Sequence, residues 1–282
     1  MKVVVTEPKS ALGHAIIARL RDEPPPHGAT VVAWDGDATD PDACAAALAG
    51  ADLLIDLRPV IASAHAPGAG AADDPATWAP AGQHMERLCR GTYLLIRAAV
   101  TAGLTRVVLA STLRHLEDYA PEWSVAESWH PRPALDDPAA LGPYLAEEVA
   151  RQLALVEPIT VACVRLATVR ADARGLAWDE VHVRDAAAAC VLAATAPLGH
   201  SEPYARPHLA TGWWLFHAPG GGPHARFPIA AAANIGYAPT HAVEPRPTST
   251  QHRARSVPHV APRAIRRVTV FGAGGPLASA AA

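Results

Sequence analysis

The chain has 282 residues, half of them hydrophobic, and a formal net charge of −3. That size supports a large core, as one α/β domain or one domain with a lobe. The charge excludes a general attraction to nucleic acid or anionic membrane, no apolar run approaches the ~18 residues a bilayer span needs, and the first residues lack the pattern of a secretory signal.

Cys44, Cys89, Cys163 and Cys190 are scattered without CxxC spacing. They read as free thiols in a reducing compartment, so a cytoplasmic protein is expected. Fourteen histidines occur, yet none forms HExxH, HxH or a Cys-His cluster, and no metal site is predicted. The only lysines are Lys2 and Lys9, against 22 arginines. Any mechanism that takes an ammonium group from the middle of the chain is thereby excluded.

The opening MKVVVTEPKSALGHAIIARL reads as a buried strand, a tight loop and an amphipathic helix. Val3-Val4-Val5 is the continuous apolar run of a strand covered on both faces. Leu12, Ile16, Ile17 and Leu20 then recur at helical spacing. A second strand is predicted over 30–34, and Asp40-Pro41 reads as an N-cap with proline at the first helical position, opening a helix through Leu48. A third strand covers 52–57. Residues 62–76 form an Ala/Gly/Pro loop, and a long helix spans about 83–102, closed by Gly103.

A fourth strand follows at 106–110, then an irregular stretch over 113–142 rich in Pro and Trp. A helix is predicted over 143–155, a fifth strand over 159–166, and an Ala-rich helix over 185–194. In the looser remainder only 213–216 reads as a strand. Alternating strands and helices with short loops predict right-handed βαβ crossovers. The expected fold is a Rossmann-like, doubly wound parallel sheet with a small C-terminal lobe at about 170–243, lying over the carboxyl edge of the sheet. The first domain then covers 1–243. Residues 244–266 read as a linker. At 267–282 a strand, a glycine loop and a helix start repeat the pattern of the opening, with Gly272, Gly275 and Ala278 in the loop positions. This end reads either as the start of a second, tandem Rossmann unit, as a remnant of one, or as a coincidental Ala/Gly-rich terminus.

The segments VVVTEPKSALGHAI, GDATDPDACAAAL, ADLLIDL, GTYLLIRAAVTAGLTRVVLAST, PYLAEEVAR, ITVACVRLATV and VHVRDAAAACVLA, in this order, resemble the extended short-chain dehydrogenases/reductases of the NAD-dependent epimerase/dehydratase type. The resemblance covers about 1–240. It implies NAD or NADP as cofactor, a small-molecule substrate such as a nucleotide sugar, and a homodimer formed through the helix around Tyr144 and the long helix.

The family's GxxGxxG loop falls on Glu7, Ser10 and Gly13, so two glycines are replaced. If position 7 must be left-handed, Glu there costs roughly 1–3 kcal/mol. Its carboxylate would also face a pyrophosphate, offset in part by Lys9 and the helix N-terminus. Asp35 closes the second strand, where an acidic residue contacts the adenosine ribose in the family. Asp37 sits in a GDxxD segment that in the family follows a later strand. One strand and one helix are therefore missing between Leu20 and Asp40, and Asp35 and Asp37 divide between ribose contact, adenine contact and plain solvated turn.

Ser111 and Thr112 match the family's Ser/Thr after the fourth strand, with Thr112 at the catalytic position, and Tyr144 matches the tyrosine of YxxxK. The lysine position holds Glu148. A cation lowers a phenol pKa and a carboxylate raises it, so Glu148 has the wrong sign for a base working near neutrality. Arg151, at i,i+3, offers Glu148 an ion pair. Leu88 stands where the family has Asn. These departures describe a degenerate member that binds a small molecule or a partner without ordinary redox turnover. The alternative is an active NAD(P)-dependent oxidoreductase, epimerase or dehydratase. Asp118, Glu122 and Glu127 offer a carboxylate pair, and Trp123, Trp129, Trp213 and Trp214 either line a cleft or pack as core.

Overall fold

The computed structural model describes residues 1–22, 28–64, 75–120, 122–172, 174–198, 212–222 and 226–244, excepting the side chains of 75–78. Everything from 245 onward, including the linker and the second glycine loop, lies outside the described residues. So do His200, His208 and His224.

Six parallel strands form the main sheet: β1 (Lys2–Thr6), β2 (Thr30–Trp34), β3 (Leu53–Asp56), β4 (Arg106–Thr112), β5 (Thr160–Leu166) and, on the far edge, β8 (Trp213–Ala218). Their order is β2-β1-β3-β4-β5-β8. A short parallel pair, β6 (Thr168–Arg170) and β7 (Glu180–His182), forms a second sheet. The direction of winding reverses between β1 and β3, which is where an open α/β sheet places its ligand crevice. No strand lies outside β2 among the described residues, in line with the strand and helix missing from the sequence there.

The helices are α1 (Ala11–Asp22), α2 (Pro41–Leu48), α3 (Arg58–Ala64), α4 (Pro75–Thr101), α5 (Pro138–Val156), α6 (Val183–Thr195) and α7 (Ala230–Asn234). Val3, Val4 and Val5 are all fully buried because β1 has a core on each side. Val3 and Val5 pack with Leu12, Ile16 and Leu20 of α1 and with the alanines of α6. Val4 packs with Cys44 and Leu48 of α2, Leu95 and Ile96 of α4, and Ala150 of α5. Each large aliphatic side chain so buried contributes about 1.5–3 kcal/mol. Asp40 caps α2 by accepting from the amides of Asp42 and Ala43, with Pro41 at the first helical position.

Several boundaries differ from the sequence reading. The segment Arg58–Ala64 is a helix, although its seven residues are too few to show a period. The long helix begins at Pro75, and α5 begins at Pro138, capped by Asp137, which accepts from the Ala139 amide. Of the stretch expected as a lobe, 213–218 joins the main sheet as β8. The β6/β7 pair and residues 226–244 remain at the carboxyl edge: Thr168, Trp178 and Phe227 meet Thr112 and Leu166 there. Among the described residues no helix is long and apolar enough to cross a membrane.

Candidate functional site

The first βα loop closes on itself. Glu7 has φ +50°, the one non-glycine residue with positive φ among the described residues. It occupies the left-handed region at the position where the family has its first glycine, at a cost of about 1–2 kcal/mol for an L-residue. Ser10 then seals the turn. Its amide donates to Glu7 O at 3.1 Å, its Oγ donates to the same oxygen at 2.7 Å, and Oγ accepts the Gly13 N–H at 3.0 Å. One of the free amides at the start of α1, the group that would face a phosphate, is therefore used internally. Gly13 is required: a Cβ there would lie 2.3 Å from Glu7 O and 2.9 Å from Pro8 Cα.

The carboxyl ends of β1, β2 and β3 open into a cavity of about 680 Å3. Glu7, Asp35, Asp37 and Thr39 line one side, and Arg58, Ile61, His84, Arg87 and Leu88 the other. The structure thus brings Glu7, Asp35 and Asp37 to one wall. Lys9 pairs with Asp35, which raises the Lys9 pKa through the hydrogen bond and the charge of that carboxylate. Asp37 is held by the Thr39 amide and hydroxyl, each at 2.8 Å, and these two bonds lower its pKa. Arg58 grips Asp56 through Nε and Nη2 at 2.9 and 2.6 Å, below the cavity floor. The sequence reading missed Arg58, His84 and Arg87. An arginine two residues past the buried strand at 53–56 is the available signal, since charged side chains are rarely buried without a partner.

The dinucleotide implied by the resemblance fits this site only in part. The acidic β2 edge suits a ribose diol, but the diphosphate position meets the Glu7 carboxylate and the amide that Ser10 Oγ has taken. The Glu7 carboxylate opposes a phosphate there, and Lys9, whose pKa that carboxylate helps to raise, offsets part of the charge.

The candidate catalytic residues lie further along the same carboxyl edge. Thr112 accepts the Arg114 N–H at 3.2 Å and lines a separate cavity of about 20 Å3 with Arg114, Trp178, Asp179 and Phe227. Ser111 points to the opposite face of β4 and is fully buried, out of reach of either cavity. Tyr144 is half-buried on α5, edge-on to His115 with ring centroids 6.3 Å apart. Burial, then the charge of Glu148, raises its pKa, and Arg151 offsets only part of that. Arg151 Nη2 donates to Glu148 at 2.7 Å.

Behind Tyr144 the core holds charge. Glu147 and Arg165 are 2% and 3% exposed and form a two-pronged pair, Nε to Oε1 at 3.0 Å and Nη2 to Oε2 at 2.7 Å. His115 Nε2 lies 2.9 Å from Glu147 Oε1. Burial alone would raise the Glu147 pKa, but Arg165 and His115 outweigh it and hold the carboxyl far below the ordinary range. His217 on β8 is fully buried with neither ring nitrogen paired among the described residues. Desolvation, reinforced by Arg165, holds it neutral well below the usual histidine range. A buried polar group left unpaired costs about 1–3 kcal/mol.

Other candidates resolve simply. Trp123 and Trp129 pack on Tyr119, and Arg132 lies over the Tyr119 ring. Trp214 stacks near Phe216. Asp118 and Glu122 are exposed. Among the described residues no three His, Cys, Asp or Glu side chains gather as a metal site. Cys44, Cys163 and Cys190 are buried free thiols.

Sheet order, switch point and crevice define a Rossmann-like α/β fold. Solved structures with this fold include uronate dehydrogenase from Agrobacterium tumefaciens, at 18% identity and a TM-score of 0.61 over 84% of each chain. Glucuronic acid dehydrogenase from Chromohalobacter salexigens is 17% identical, with a TM-score of 0.60 over 84% of each chain. dTDP-glucose 4,6-dehydratase from Streptomyces venezuelae, crystallised with NAD, is 19% identical, with a TM-score of 0.56 over 83% of this chain and 80% of that one. No family model and no curated protein matches the sequence. Likeness at these identities establishes the fold.

Proposed function

We propose that this protein is a binding module on a dehydrogenase scaffold, a degenerate relative of the NAD-dependent epimerases and dehydratases. It holds a small molecule or a protein partner in the ancestral cleft and does not run tyrosine–lysine redox catalysis. The observation that carries this reading is at Tyr144: the position one helical turn on is Glu148, tied to Arg151, and the phenol is pushed away from the pKa a general base needs. The loop supports it, since Glu7 and Ser10 oppose a diphosphate by charge and by occupying an amide. Calorimetry with NAD, NADH, NADP and NADPH, together with a coupled assay on uronates and sugar nucleotides, tests it. The expected result is no turnover. Cofactor-dependent turnover that Tyr144→Phe abolishes would overturn it.

One observation favours a second reading, an active NAD(P)-dependent oxidoreductase, epimerase or dehydratase on a sugar-like substrate. The crevice remains open at about 680 Å3 with Asp35 and Asp37 on its rim, and solved structures of the same fold include dehydrogenases and a dehydratase. Here Thr112 and Tyr144 would work on the substrate, and micromolar cofactor binding lost in Gly13→Trp is expected. A homodimer, or a tandem Rossmann unit beyond the linker, is the partner either reading would use. Sedimentation at several concentrations separates a self-associating chain from a strict monomer.

A further inference from the structure

Ser111, Arg165 and His217 stand side by side on β4, β5 and β8. The register pairs Ser111 with Arg165 and Arg165 with His217. All three point to the face that carries α4 and α5, because the residues two before them (Leu109, Cys163 and Leu215) pack in that core. None is more than 3% exposed. Each has polar atoms with no hydrogen-bond partner among the described residues: Ser111 Oγ, Arg165 Nη1, and His217 Nδ1 and Nε2. The other prongs of Arg165 are taken by Glu147. Native interiors pair nearly all such groups, and a patch of neighbouring orphans marks bound solvent or an ion.

The complement of donors and acceptors chooses between them. Arg165 Nη1 offers donors only. Neutral His217 offers one N–H and one bare nitrogen, whichever tautomer it adopts, and Ser111 can do either. An anion would satisfy Arg165 and Ser111. It would leave the bare nitrogen of His217 without a donor and stand beside the Glu147 carboxylate. A cation would meet Arg165. Water alone can accept from Arg165 and donate to His217. We infer that the carboxyl ends of β4, β5 and β8 enclose an internal hydration site, in which at least one ordered water bridges Arg165 Nη1 and His217 with Ser111 completing its shell. This water ties the edge strand β8 to the buried Glu147–Arg165 pair, directly behind Thr112 and Tyr144.

The test uses the full chain, at a crystallographic resolution that orders internal solvent. The expected result is a water peak within hydrogen-bonding distance of Arg165 and His217. An empty gap, a halide-like peak, or a direct His217–Glu147 contact overturns the inference. Thermal melts of His217→Phe at pH 8 supply an independent sign. Phe227 already packs edge-on to this ring at 5.8 Å, so an aromatic ring suits the place. If water satisfies the histidine, its removal strands Arg165 Nη1 and the melting temperature falls. If the histidine is a true orphan, its removal relieves the core and the melting temperature rises, which sinks the inference. Ser111→Ala is expected to move in the same direction as His217→Phe.

Discussion

Ser10 Oγ accepts the Gly13 N–H at 3.0 Å, so the first helix is capped by its own loop at the point where a phosphate would dock. A capped end is stable without a ligand. The contact makes an ordinary capped helix start, with the left-handed Glu7 beside it bearing the cost of the tight turn.

That cost is open to measurement. Glu7→Gly removes the Cβ that disfavours φ +50° and is expected to stabilise the fold by about 0.5–1 kcal/mol, less than the full strain because glycine loses more entropy on folding. Thermal melts should rise by about 1–4 °C. An unchanged or lower melting temperature would show that Glu7 contacts repay the strain. In Glu7→Gly/Ser10→Gly, NAD affinity should increase at least tenfold over the parent chain by calorimetry.

Gly13→Ala acts in the opposite direction. The new methyl would lie 2.3 Å from a carbonyl oxygen and under 3 Å from Pro8 Cα. Backbone atoms cannot move aside as a side-chain tip can, so a loss of about 1–3 kcal/mol or more is expected. Chemical denaturation checks this, and a variant as stable as the parent would contradict the described loop.

The Tyr144 phenol should titrate above its ordinary value, because burial and Glu148 both favour the neutral form. Difference absorbance against Tyr144→Phe isolates it from the other tyrosines. Glu148→Lys exchanges the carboxylate for an ammonium and should shift that titration downward. The lost pair with Arg151 is partly exposed and contributes at most about 1 kcal/mol to stability. Folding is therefore retained.

Glu147 and Arg165 should behave as a unit. Glu147→Gln leaves a buried guanidinium uncompensated, and about 3–5 kcal/mol of stability should be lost. Replacing both by Leu and Met restores much of it, because desolvation of two charges is then no longer required. A double-mutant cycle by denaturant unfolding reads the coupling. Strictly additive losses would mean the two residues do not pair.

Acid should destabilise the fold in two stages. His217, and His84 for the same reason of burial, have folded-state pKa values below the ordinary 6.5. The unfolded chain therefore binds the extra protons first. Stability is full above about pH 6.5 and falls as pH drops below it. Glu147 is depressed below its ordinary 4.5, so the ion pair's contribution is present above that pH and is lost below it. Unfolding free energies between pH 8 and 3 should show both breaks, and His217→Phe should flatten the first.

Much of the scaffold was legible because its signals are local. The run at Val3–Val5, the spacing of Leu12, Ile16 and Leu20, and the Asp40-Pro41 cap each need only a few neighbouring residues. The shortfall of one strand could be read from the distance between Leu20 and the GDxxD segment. The lysine position could be read the same way, and Glu148 with Arg151 pairs as the i,i+3 spacing suggests. What was not legible depends on distant partners. Arg58–Ala64 carries no period, and its helix is set by packing under α5. Glu147 and Arg165 are 18 residues apart and meet only once α5 lies on β5. An arginine inside VACVRLATV was the signal for a buried partner. Nothing nearby in the sequence says which carboxylate that partner is. Ser111 adjoins Thr112 in the sequence, yet consecutive strand residues face opposite ways.

Among the described residues the sheet stops at β2, and six residues lead from there straight into α2. The outer rim of the crevice is therefore one turn thick: Asp35 to Thr39, braced by an aspartate folded onto its own loop and a capped helix behind it. In a fold with another layer outside, altering that rim would disturb a core. Here the side chains of Asp35, Asp37 and Thr39 can change the charge of the crevice rim while both hydrophobic layers stay intact, as long as Ala38 keeps its place in the core.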